Sequence, residues 1–276
     1  MSSQISSLLS SVTSYEDPDA EQSFDPGSPV APRRFDNIHN LRDLGGLHGH
    51  EGRRISAGRL FRSGNPGMAS SGDIDRLQTL GLDVVIDFRS PEEKSDEESA
   101  FGAVFNWLPL PVLEGSMSMA ELVPRLKSAT RQEMDDFMLQ VYRDFPLKHQ
   151  SVFGRFMKAA EAGLTLLYHC STGKDRAGFA TLLLLSALDV TPETILANYM
   201  ESNHRNRLLV RGLLARLDSL GIAHGVAMPL LEVRPGYLLA SLQTIQQEWG
   251  STARFLSEAL SVDVEKLRVH YLESIN

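Results

Sequence analysis

Between Gly163 and Val190 the chain reads GLTLLYHCSTGKDRAGFATLLLLSALDV, two apolar runs joined by a short polar turn that contains a glycine. The first run has the length of a buried strand and ends at Cys170. The second, from Arg176 onward, has the length and all-round apolarity of a buried helix. A strand that passes through a tight turn directly into a buried helix needs a sheet on one side of that helix and cover on the other. The segment DVVIDF, Asp83 to Phe88, is a second β-branched run fit for a buried strand. Strands alternating with helices predict an α/β domain with a mostly parallel central sheet flanked by helices.

Local signals mark where the helices begin. SPEE follows the second strand, with Ser90 as an N-cap, Pro91 in the first helical position and Glu93 closing a capping box. TPET, Thr191 to Thr194, repeats that logic, and apolar spacing predicts helices near 199–220 and 235–272. Residues 1 to 30, rich in Ser, Asp, Glu and Pro, are expected to form a disordered tail, leaving 31–276 as the folded domain. The methionine-rich segment 112–142, interrupted by Pro124, reads either as surface helices packed on the core or as a mobile apolar lid over a site.

Composition removes some classes of function. A net charge of −8 opposes general nucleic-acid binding, and no apolar run approaches the roughly 18 residues of a membrane helix. The N-terminus lacks the basic and apolar regions of a secretory signal, and a single cysteine forms no internal disulfide. Both fit a cytoplasmic protein, secretion without a signal peptide aside. No set of residues assembles a convincing metal site, and no cofactor is expected.

The turn itself carries chemistry. Cys170 stands at the C-terminal end of a strand, and Arg176 stands six positions later at a helix N-terminus. Ser171, Thr172, Gly173, Lys174 and Asp175 must wrap between them, with Gly173 open to backbone angles that other residues resist. Such a wrap turns successive N–H groups inward and makes an anion nest beside the positive end of the helix. Arg176 adds a fork for two oxygens of a tetrahedral oxyanion. The same cradle favours the thiolate of Cys170, a nucleophile aimed at phosphorus. His169 is better placed to position the loop than to carry a proton. A buried structural cysteine is the bland alternative. A chance match of His, Cys, Gly and Arg at this spacing comes to roughly one in ten thousand, so the catalytic reading is the stronger.

His169, Cys170, Gly173 and Arg176 match HCxxGxxR, and the chain resembles the cysteine-dependent protein tyrosine phosphatases. HCSTGKDRAGF is similar to a bacterial and fungal subgroup with Lys and Asp inside the loop, mycobacterial secreted enzymes among them. NLRDLGG, GRLFRSG, VIDFRSPEE, YRDFP, NYMESN and VRPGYLLASLQTI agree with it in order and spacing, over about residues 35 to 260. The resemblance implies a phosphatase fold, a helical lid and activity on phosphoproteins and phosphoinositides. One departure is Ser171, where the mycobacterial enzyme has a bulky aromatic residue.

Dephosphorylation through cysteine needs an acid for the leaving oxygen. Two aspartates compete: Asp175 inside the loop, the favoured one, and Asp87 at the end of the strand VVID, whose other reading is a brace. Lys174 is expected to contact phosphate or an inositol ring. In NLRDLGG, Asp43, Gly45 and Gly46 are expected to shape the fold, while Arg62 and Arg89 either reach substrate or brace the loop. The expected function is a metal-independent phosphomonoester hydrolase acting on phosphotyrosine, phosphoserine or phosphothreonine proteins or on phosphoinositides. The competing readings are a phospho-ligand-binding pseudophosphatase and a rhodanese-like sulfurtransferase.

Overall fold

The computed structural model describes residues 35–95, 98–113 and 117–274, so the tail expected over residues 1–30 lies outside the described residues. Five strands form one sheet: β1 (Arg42–Asp43), β2 (Leu60–Ser63), β3 (Val84–Asp87), β4 (Trp107–Pro109) and β5 (Leu166–His169). Their order across the sheet is β1-β2-β5-β3-β4, with β1 antiparallel to β2 and all other pairs parallel. β2, β3 and β5 are buried along their whole length, as parallel strands covered on both faces must be.

Side chains alternate between the two faces. Leu60, Val84, Ile86, Leu166 and Tyr168 enter the larger core, whereas Phe61, Val85 and Leu167 enter a smaller one with Leu77 and Phe101. Leu77 belongs to α1 (Ser71–Gln78), which covers the smaller face. Over the larger face lie α2 (Met119–Ser128), α3 (Arg131–Lys148), α4 (Gln150–Glu161), α5 (Arg176–Ala187), α6 (Pro192–Arg205), α7 (Arg207–Ser219), α8 (His224–Leu231), α9 (Pro235–Trp249) and α10 (Val264–Tyr271). α5 is the buried helix read from the sequence: eleven of its twelve residues, Arg176 included, are enclosed, and Ser186 is half-buried.

The predicted helical stretches are broken where the chain turns. Asn206 separates α6 from α7, and Gly250, at φ 78°, closes α9 in the left-handed conformation. SPEE forms only one 3-10 turn, Pro91–Glu93, with Glu93 Oε2 accepting from the Ser90 N–H at 3.0 Å. NLRDLGG holds β1 and the turn that follows it, and Asp43 and Gly45 shape the fold there. Asp43 accepts from the N–H of Gly45 at 2.8 Å and of Gly58 at 2.6 Å, and a Cβ on Gly45 would stand 2.3 Å from Ala57 Cα.

The segment 112–142 divides in two. α3 buries Met134, Met138, Val141, Tyr142 and Phe145 in the main core, which is the packed-helix reading. α2 buries Leu122 and Leu126 in the same core, while Met117, Met119 and Leu122 also line a cavity.

Candidate active site

Ser63, Asp87 and His169 share one register row, at the C-terminal ends of β2, β3 and β5. Since β5 lies between strands that precede it in the chain, the loops beyond this row diverge and leave a crevice. The turn from Cys170 to Arg176 fills its floor.

The turn is held from outside by its carbonyls. His169 Nδ1 lies 3.2 Å from the Cys170 oxygen, and the Asn65 N–H donates to the Ser171 oxygen at 2.9 Å. The side-chain amides of Asn40 and Asn206 both donate to the Thr172 oxygen at 3.0 Å. Arg62 Nη2 donates to the Gly173 oxygen at 2.7 Å and the Lys174 oxygen at 3.4 Å. In a trans peptide N–H and C=O point opposite ways, so carbonyls fastened outward turn the N–H groups of the following residues into the crevice. That arrangement is compatible with the anion nest expected from the sequence. Gly173 makes the wrap possible: its φ is 69°, and a Cβ there would stand 2.3 Å from the Ser63 oxygen.

Two buried cations flank Cys170, itself 1% exposed. Arg62 lies fully buried and within electrostatic reach of the thiol, with no carboxylate at ion-pair distance among the described residues. Arg176 is the other. Its Nη1 and Nη2 donate to Glu93 Oε2 and Oε1 at 2.6 and 2.7 Å, and Nη1 also reaches the Phe88 oxygen. Its Nε is buried without a partner. Glu93 therefore holds the end of the guanidinium and leaves Nε as a donor without a bond. Glu93 also accepts from the Ser171 hydroxyl at 2.6 Å, which gives the small residue after the cysteine a definite partner.

Asp175 begins α5 without a side-chain capping bond. Its Oδ1 accepts from Tyr142 Oη at 2.8 Å, and Lys174 Nζ stands 2.8 Å from Oδ2 and 3.1 Å from Oδ1. Both residues line the cavity together with Ser171, Thr172 and Arg176, and Lys174 is buried rather than solvated.

Asp87 has another setting. It is fully buried, bonded to Arg89 Nε and Nη2 at 3.1 Å each, with Lys94 Nζ at 3.2 Å. Burial alone would push its carboxyl up. The neighbouring cations, His169 when charged and Arg89 throughout, outweigh that and hold it well below the usual carboxylate range. Arg89 also grips Glu98, so both arginines left open by the sequence brace the loops. Burial lowers His169 from 6.5 to about 4, with Asp87 opposing, so the ring is neutral and positions the loop.

The cavity above the turn has a volume of about 350 Å³ and mostly apolar walls. Met117, Met119 and Leu122 form one side, and Leu209, Val210 and Leu213 of α7 form another. Sequence reasoning found every residue of the turn and offered His169, Arg62 and Arg89 among its supports, but missed the others. Glu93 was visible only as a cap, the amide of Asn206 carried no signal, and Asn40, Tyr142 and Tyr199 were visible only as members of NLRDLGG, YRDFP and NYMESN.

The chain is similar in sequence to known proteins. A Cupriavidus necator chain named for tyrosine-protein phosphatase is 58% identical over 238 residues, covering 86% of this chain and 87% of its own. The triple specificity protein phosphatase PtpB of Mycobacterium tuberculosis is 27% identical over 264 residues, covering 83% and 94%. The solved structure of P. aeruginosa TpbA aligns over 79% of this chain and 88% of its own at 18% identity, with a TM-score of 0.24. The family model described as the tyrosine phosphatase family matches residues 33–273, nearly all of the described chain, and by that match the chain belongs to the tyrosine phosphatase family.

Proposed function

We propose that the chain hydrolyses phosphomonoesters through a cysteinyl-phosphate intermediate, with phosphotyrosine in proteins as its main substrate. The buried, unpartnered Nε of Arg176, on a guanidinium within electrostatic reach of Cys170 and lining the cavity, is the observation that carries this reading. The phosphate sits on the N–H groups of the turn and on Arg176 while the Cys170 thiolate attacks phosphorus. As the P–O bond breaks, Asp175 gives its proton to the leaving oxygen. The Asp175 carboxylate then takes a proton from the water that attacks the cysteinyl-phosphate, which frees phosphate and the thiolate. Asp87 serves this cycle as a brace, since, unlike Asp175, it does not line the cavity and its carboxylate is held by Arg89 and Lys94.

The name of PtpB supports a wider range, and the apolar walls suit an aromatic phosphoester or the acyl end of a phosphoinositide. Lys174 suits the extra anionic groups of the latter. Cys170→Ser tests the core of the proposal. It should abolish para-nitrophenyl phosphate hydrolysis and retain binding of a phosphate ester by calorimetry, because the hydroxyl has no base to activate it. Activity within about tenfold of wild type would remove the thiolate mechanism, since loss of a nucleophile costs orders of magnitude more. A panel of phosphotyrosine, phosphoserine and phosphoinositide substrates, compared by kcat/KM, ranks the range.

A further inference from the structure

Two tyrosines stand behind Asp175, outside the cavity. Tyr142 of α3 donates to Asp175 Oδ1 at 2.8 Å, and Tyr199 of α6 donates to Tyr142 Oη at 2.6 Å. Burial first, and the charge of Asp175 next, hold both phenols well above their ordinary value of 10, so both remain neutral donors while the enzyme works. The core uses their rings: Tyr142 meets Phe145 edge-on at 5.1 Å and Tyr199 at 6.2 Å. Phenylalanine would serve that packing equally and would not require a buried hydroxyl to find a partner. The hydroxyls therefore answer to something other than packing, and their chain ends on one oxygen of one carboxyl.

The other oxygen faces a different partner. Lys174 Nζ is nearest Oδ2 and lines the cavity, where an arriving phosphate dianion competes for its charge. Tyr142 does not line the cavity, so substrate does not compete for its bond.

We infer that Tyr142, itself set by Tyr199, is a positioning residue for proton delivery: it pins Oδ1 of Asp175 so that Oδ2 presents the proton to the leaving oxygen once the Lys174 ammonium turns to the phosphate. Solvent supplies that proton to Oδ2 before cleavage. It passes to the leaving oxygen as the S–P bond forms and the P–O bond breaks, and the carboxylate that remains stays on Tyr142. This inference rests on Asp175 as the proton donor.

The test compares wild type, Tyr142→Phe, Tyr199→Phe and Asp175→Asn on para-nitrophenyl phosphate, phenyl phosphate and an alkyl phosphate. Tyr142→Phe should lower kcat about tenfold for phenyl and alkyl phosphates and no more than about threefold for para-nitrophenyl phosphate, with KM unchanged, since a lost bond to a charged acceptor is worth about that much. Tyr199→Phe should show the same leaving-group trend at smaller size, and it decides the matter if Tyr142→Phe does not fold. Equal losses across all leaving groups, or a rise in KM with kcat intact, would make the tyrosines scaffold only and overturn the inference. A flat dependence in Asp175→Asn would instead remove the proton-donor reading itself, whatever the tyrosine variants do.

Discussion

His169 ends β5 with no solvent contact, and burial holds its pKa at about 4, against 6.5 in the unfolded chain. Between those values the unfolded state carries a proton that the folded state does not, so stability rises with pH across that interval and is lost as pH falls through it. The shift corresponds to about 3 kcal/mol at full extent. Urea midpoints should therefore fall from pH 6.5 to pH 4, and His169→Asn should flatten that slope; an unchanged slope would assign the acid sensitivity elsewhere. Asp87, whose carboxyl is depressed, adds its own loss only below about pH 4. Gly173 is the second residue on which the turn depends. Gly173→Ala combines a positive φ with a Cβ 2.3 Å from the Ser63 oxygen, so it should cost more than about 2 kcal/mol in thermal unfolding and abolish turnover together. Wild-type melting with activity retained would show that the turn tolerates a different wrap.

Among the elements, α3 and α7 both border the site, yet they are packed very differently. α3 encloses Met134, Met138, Val141, Tyr142 and Phe145, whereas Leu217 is the one fully buried residue of α7. Hydrogen exchange should follow that contrast, with α7 amides less protected than those of α3 and α5 by about a hundredfold or more. Equal protection would mean that α7 is as firmly seated as the core. The sequence could not have separated the two. Met-rich and Leu-rich helices have the same period whether their apolar face meets a core or a cavity, so 112–142 read as a lid as easily as it read as a packed pair. β-branched density made β3 legible, and the N-cap with its proline made the start of α6 legible, because both signals are local. SPEE failed to extend for a reason that is not local: Glu93 is drawn to Arg176, 83 residues away, and the chain leaves the helix after one turn.

At the scale of the whole molecule, the same division explains how much of the site could be read. Seven consecutive residues name the chemistry, and they were legible because nucleophile, nest and arginine must be neighbours in the chain. Their geometry comes from elsewhere: Asn40 reaches Thr172 across 132 positions and Arg62 reaches Gly173 across 111. No spacing rule connects such residues, since only the folded sheet brings β2 beside β5. Arg62 should therefore matter to phosphate as well as to folding. Arg62→Met removes the donor to the Gly173 oxygen and a buried cation near Cys170, and should cost about 2–4 kcal/mol of stability. It should also weaken inhibition by inorganic phosphate about tenfold, as the nest loosens. Asn206→Ala leaves Asn40 on the Thr172 oxygen and should cost about 1 kcal/mol, with phosphate inhibition nearly intact. Combined, the two losses should exceed their sum by at least about 0.5 kcal/mol in phosphate affinity, because both clamps shape one loop. Strict additivity, or phosphate inhibition untouched in Arg62→Met, would mean that the turn keeps its wrap without them and that the long-range clamps serve stability alone.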